Sequence, residues 1–229
     1  MMASLLVGGP TCNTDVFDVT VNLAAQTYHM DFGAATGTIP TVTCGAGMPR
    51  LCDIQQRATV TTTPGPTNVT IEPGCDSTTK RCFVAATVRL TEQVDVLQDS
   101  DFVTKVARHS AWIVKSVTLA YTVPSNTLTF EIPKIDVYVG PAGTKTEADP
   151  DVAYVDSTVP VAAGTTFVDP PRELTVAAGS PARDLIVSSV EAKRTIVFVV
   201  VATLRIEAGA PVPAGNLQLD IYPSLTLGF

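Results

Sequence analysis

Five cysteines are the residues of this 229-residue chain with the most evident chemistry. Cys44 and Cys52 bracket the loop Gly45-Ala46-Gly47-Met48-Pro49, and Cys75 and Cys82 bracket a short polar turn. Loops rich in glycine, serine or threonine bring their ends together easily, so the spacing predicts two local disulfides, Cys44 with Cys52 and Cys75 with Cys82. Disulfides persist in oxidising compartments, and the reading that follows is an extracytoplasmic protein: periplasmic, at the outer-membrane surface, or secreted. The rival for the same four residues is a set of reduced thiols in the cytosol. Zinc is disfavoured, because neither pair has C-x-x-C spacing and the only two histidines, His29 and His109, lie elsewhere.

Cys12 is left over, ahead of any strand signal and followed by the polar run Asn13-Thr14-Asp15. Its position resembles the acylated first residue of mature bacterial lipoproteins, although Gly9-Pro10-Thr11 departs from the usual small-residue lipobox. That resemblance implies a lipid anchor at Cys12; the alternative is an ordinary free thiol. Met1 to Val7 has no basic n-region and too short an apolar stretch for a whole secretory signal, so the chain either stays inside the cell or begins near a processing site.

Catalytic chemistry finds little support. His29 falls on the polar phase of its strand and His109 at a helix end, both positions of solvated surface residues. Neither lies near a plausible nucleophile, and no G-x-S-x-G, H-E-x-x-H, Walker loop or dinucleotide fingerprint occurs. Glu147, Asp149, Asp151 and Asp156, or Asp99 and Asp101, offer oxygen ligands of the kind calcium takes, but neither group matches a calcium loop and both read as solvated acidic turns. Asn68-Val69-Thr70 fits a glycosylation sequon. Trp112 is the only tryptophan and aromatic residues make up 6%, so no sugar-stacking platform is visible and Trp112 reads as core. No catalytic residue, metal or cofactor is expected.

The elements that must position these groups are strands. Charged residues are only 16% of the chain, against about 25% in ordinary soluble domains, a balance that favours strands and turns over exposed helices. The net charge of -7 and the absence of clustered Lys and Arg argue against nucleic-acid binding. Val117, Leu119, Tyr121 and Val123 alternate with polar or small residues, then a turn is expected at Pro124-Ser125-Asn126. Leu128, Phe130 and Ile132 fall on even positions, and Ile135, Val137 and Val139 return to odd ones. Because side chains alternate with period two, that flip requires a bulge or bend at Pro133-Lys134, redirecting the chain into a second sheet.

Elsewhere, alternation marks Phe17 to Leu23, Tyr28 to Phe32, Val84 to Val96 and Leu217 to Phe229, with short candidates at Ala58 to Thr62 and Asn68 to Glu72. Weaker strands are read near Val152 to Val155, Thr165 to Val168 and Leu174 to Ala177, and firmer ones at Leu185 to Val190 and Thr195 to Ile206. Ile196 to Val201 is apolar on both faces and should lie centrally, covered on each side. The one helix predicted, Asp101 to His109 capped by Ser100, has Phe102, Val103, Val106 and Ala107 on one face.

The fold class read from this pattern is all-β: an antiparallel β-sandwich, immunoglobulin-like or jelly-roll-like, with one short helix. Residues 1–14 form a tail or processing remnant and residues 15–229 a single domain. The function read from it is an exported cell-envelope or surface protein with a structural or binding role, possessing no catalysis and touching membrane only through a lipid anchor. Its partner would be another envelope protein or a glycan, with oligomeric state undetermined. Two rivals stand. One is an outer-membrane barrel, because the alternating strand that closes on Phe229 resembles the C-terminal signature of such barrels. The other is a secreted glycan-acting enzyme working with two carboxylates.

Overall fold

The computed structural model describes residues 17–33, 38, 41, 44, 69–106, 109 and 111–229. They form ten strands: β1 (Asp18–Asn22), β2 (Gln26–Asp31), β3 (Val69–Cys75), β4 (Cys82–Asp95), β5 (Ile113–Asn126), β6 (Ile135–Pro141), β7 (Ala153–Ser157), β8 (Phe167–Leu174), β9 (Thr195–Glu207) and β10 (Asn216–Gly228). Two helices accompany them, α1 (Ser100–Val106) and α2 (Pro181–Glu191). The first sheet runs β1-β10-β5-β8, with β2 also paired to β10; the second runs β3-β4-β9-β6-β7. Every ladder is antiparallel.

The period-two pattern creates the core between the sheets. Leu217, Leu219, Ile221, Leu225 and Leu227 of β10 and Leu119, Tyr121 and Val123 of β5 turn inward to meet Ala86 and Val88 of β4 and Ile135, Val137 and Val139 of β6. Burying each large apolar side chain is worth roughly 1.5 to 3 kcal/mol, an upper estimate because the unfolded chain is already partly collapsed. Apolar faces that look at each other make a sandwich, not a cylinder with an apolar exterior. β9 is the central strand of its sheet, as its composition requires. Ile196, Phe198, Val200 and Ala202 enter the main core, while Val197, Val199 and Val201 form a second cluster with Tyr138 on the outer face.

The chain crosses between sheets where the phase flips, although by a different route from the one read in the sequence. Pro124-Ser125-Asn126 is not a turn: β5 continues through it, because the buried Asn126 side chain donates to the carbonyls of Ala162 and Thr165 and accepts from Leu128 N–H at 2.9, 2.9 and 3.0 Å. Residues Leu128 to Ile132 are therefore an irregular crossing and not a strand, with Leu128 and Ile132 buried and Ile132 bridged to Val161. The change of phase at Pro133-Lys134 delivers β6 into the second sheet.

β1 and β2 lie end to end along β10, jogging at residues 23–25. Their outer edge is covered by α1. Asp101 accepts Asn22 N–H and Asp99 accepts Ala24 N–H, both at 2.7 Å, and Lys105 donates to Thr20 O at 2.7 Å. An edge strand's unpaired backbone groups are thus met by side chains. The helix cap is Asp99, whose carboxylate accepts Phe102 N–H at 2.9 Å, and not Ser100, which is already helical. The opposite edge, β8, carries Pro170 and Pro171, residues that cannot extend a ladder.

Leu185 to Val190, expected as a strand, belongs to α2. Ser180 caps it by accepting Arg183 N–H at 3.2 Å, Pro181 opens it, and Ala182, Ile186 and Val190 recur at the helical spacing of four on its buried side. α2 packs against β5 of one sheet and β6 and β7 of the other, bridging the two.

The cysteine pairing differs from the local one. Cys44 bonds to Cys75, with Cα atoms 5.9 Å apart. Cys75 faces Cys82 across the β3–β4 ladder, so residues 76–81 are a hairpin turn held by hydrogen bonds instead of a disulfide loop. Within it Asp76 accepts Thr78 and Thr79 N–H, both at 2.8 Å. Cys82 is itself disulfide-bonded. Cys12, Cys52 and the strand expected at Ala58 to Thr62 lie outside the described residues.

Candidate binding site

The outer face of the second sheet gathers side chains that are far apart in the sequence. On β6, Ile135, Val137 and Val139 point into the core, which puts Asp136 and Tyr138 on the outside. On β7, strict alternation would separate Tyr154 from Ser157. The ladder, however, pairs Tyr138 with Tyr154 and Val137 with Asp156, leaving Val155 over. That bulge returns Ser157 to the outer face opposite Asp136, the re-aiming that an extra residue produces.

These residues form a connected ledge. Ser157 Oγ donates to Asp136 Oδ1, and since a hydroxyl has one proton, the 2.7 Å contact between Tyr154 and Ser157 is a donation from the tyrosine. Lys134 Nζ donates to both Asp136 oxygens, at 3.0 and 2.9 Å. The Tyr138 and Tyr154 rings meet edge to face, centroids 5.4 Å apart. Tyr138 is half-buried against the Val197, Val199 and Val201 cluster, whereas Tyr154 is 49% exposed. Burial, then the charges of Asp136 and Glu147, push the Tyr138 hydroxyl above its ordinary value, and Asp136 does the same for the Lys134 ammonium. Both groups keep their protons at neutral pH.

A shallow depression of about 380 Å³ lies on the same sheet, lined by Thr70, Arg89, Thr91 and the loop residues Lys145 to Ala148. Arg89 Nε lies 2.8 Å from both oxygens of Glu147 and ties that loop to β4. Asp149 folds the loop by accepting Lys145 N–H at 2.7 Å and Thr146 Oγ1 at 2.7 Å, contacts that hold its carboxyl below the usual range. Asp156 accepts Thr175 N–H at 2.7 Å, and Asp99 and Asp101 serve the β1 edge. Of the acidic residues considered as calcium ligands, Glu147, Asp149, Asp156, Asp99 and Asp101 are thus engaged in separate structural tasks. Among the described residues no group of three or more metal-ligating side chains converges.

His29 and His109 are both exposed, His109 tilted against Phe229 at 4.1 Å. Trp112 packs edge-on against Phe102, 5.8 Å away, half-buried against the core. Asn68 of the sequon falls outside the described residues. No protein-family model matches the chain, and no curated protein is similar to it.

The two tyrosines are what the sequence reading missed. Overall aromatic content conceals them, but each interrupts an inward-pointing alternation, in Ile135-Asp136-Val137-Tyr138-Val139 and in Ala153-Tyr154-Val155. An aromatic ring on the polar phase of a strand was the available signal; the bulge that aligns them with Ser157 carried none.

Proposed function

We propose that this protein is an exported β-sandwich that works by binding, with no catalysis of its own. The observation that carries the reading is the Tyr138–Tyr154 ledge, an aromatic and hydroxyl surface seated beside the valine cluster on the outer face of the second sheet. The Cys44–Cys75 bridge fits a compartment that keeps cysteines oxidised. No helix among the described residues is long and apolar enough to cross a membrane. Attachment through an acylated Cys12 fits that arrangement, with the residues ahead of β1 serving as the tether. Against a hydrolase stands the pairing of Asp136 and Glu147, the two carboxylates whose charges act on Tyr138. Asp136 is held by Lys134 and Glu147 by Arg89, which leaves neither carboxylate free to serve in a glycoside-cleaving pair.

The test is fractionation of cells expressing the natural precursor, with thiol alkylation before lysis. Cys44 and Cys75 should resist alkylation and the protein should leave the cytosolic fraction. Wild type should enter the detergent phase and Cys12→Ser the aqueous phase. Full alkylation of a cytosolic product would overturn the exported reading, and identical partitioning of the two forms would remove the anchor.

A further inference from the structure

We infer that the Tyr138–Tyr154 ledge is a saccharide-binding site, taking an uncharged pyranose ring on the face of Tyr154; this rests on the binding-module reading above. Three features of the ledge point to that ligand class. The first is shape: an exposed aromatic ring on the outer face of a sheet suits the apolar C–H face of a pyranose, which a deep pocket is not needed to hold.

The second is rigidity. Tyr154 is fixed at its hydroxyl by Ser157 and at its ring by the edge contact with Tyr138, which is itself seated on the valine cluster of β9. A ring already immobilised loses little conformational freedom when a ligand settles on it.

The third is charge. Asp136 is neutralised by Lys134, and the neighbouring Glu147 by Arg89. A cationic ligand would have to displace an ammonium that already binds both Asp136 oxygens, and an anion would meet that carboxylate. Neutral hydroxyls, by contrast, can add to what is present. The Tyr154 oxygen donates to Ser157 and retains its lone pairs, and the carboxylate oxygens of Asp136 accept more than one hydrogen bond each. An alternating ring face and hydroxyl rim is the complement of this surface.

The experiment is retention of the full chain by six insoluble polysaccharides, namely peptidoglycan, chitin, cellulose, xylan, starch and β-1,3-glucan, with reducing-end release assayed in the same tubes. Wild type should be retained by at least one, and Tyr154→Ala should weaken that retention about tenfold or more. Tyr154→Phe, which keeps the ring, should lose only a few-fold. Tyr222→Ala, removing an exposed tyrosine of the first sheet, should change nothing. Retention by peptidoglycan alone would assign the ligand to the cell's own wall, and retention by another polymer to a foreign one. If Tyr154→Ala fails to fold, Ser157→Ala decides, since it frees the Tyr154 tip without touching the core and should weaken retention several-fold. Absence of retention on all six overturns the saccharide assignment and leaves the exported-module reading to its own test. Equal retention of wild type and Tyr154→Ala moves the site elsewhere on the protein. Release of reducing ends overturns the non-catalytic reading itself.

Discussion

Asp76 shows how a single side chain couples this fold to pH. Its carboxylate accepts Thr79 N–H, pairs with Arg205 and accepts Thr78 N–H, which together hold it well below the usual carboxylate range. Asp149 is lowered by the Lys145 amide and the Thr146 hydroxyl and amide. Asp101 is lowered too: its partial burial works the other way, but Asn22 N–H and Lys105 outweigh it. A carboxyl whose folded value lies below its unfolded value of about 3.9 adds stability above that pH and loses it as pH falls through the folded value. Urea titrations should therefore give stability nearly level from pH 7 to about 5 and declining below about 4. Asp76→Asn should flatten that decline, and an unchanged acid limb would show that the hairpin turn does not depend on the charge. None of this was legible in spacing, because Arg205 meets Asp76 only after β4 and β9 are laid side by side. The cysteines failed for the same reason. Short loops suggested local closure, yet strand pairing sets Cys75 opposite Cys82 and leaves Cys75 to bond with Cys44.

Among the elements, the two helices differ in what their caps do. Ser180 caps α2 and nothing else, so Ser180→Ala should cost about 1 kcal/mol. Asp99 caps α1 and also accepts Ala24 N–H at the jog between β1 and β2, so Asp99→Ala should cost about 2 kcal/mol or more. Chemical denaturation of the two variants compares them directly, and equal losses would mean that the Asp99 bond to Ala24 contributes nothing to the β1–β2 jog. Half-buried strands such as β4, β5 and β10 were readable, since alternation is a direct imprint of one dry face, whereas the alternating Leu128 to Ile132 is an irregular crossing and the exposed β8 carries no alternation. Two further elements were not readable. Leu185 to Val190 is too short and apolar a run for periodicity to decide, and the Ser180-Pro181 start signal was the better guide. Pro124-Ser125-Asn126 has the composition of a turn, but the buried Asn126 amide anchors the chain to residues 162 and 165 and lets β5 run on.

At the scale of the molecule, the Cys44–Cys75 bridge spans 31 residues and lashes an early segment to the edge strand of the second sheet. Closing a loop of that length should stabilise by about 3 to 4 kcal/mol through restriction of the unfolded chain. Paired replacement of Cys44 and Cys75 by serine should lower stability by that amount in urea, with the main core still folding cooperatively. A loss much smaller than this would show that the segment is held by other contacts. Phe198→Ala, at the middle of the only strand buried on both faces among those described, should cost about 3 to 5 kcal/mol by leaving a cavity.

β10 follows every strand of its sheet in the chain, yet it is the partner of β1, β2 and β5. During synthesis β1 and β2 must wait, unpaired, until residues 216–228 have emerged, and β5 can take only β8 as a neighbour before then. Such a sheet cannot close ahead of its own translation. The order of strands in the chain thus keeps the first sheet open until β10 arrives, whereas β3, β4, β6, β7 and β9 of the second sheet can all pair before it.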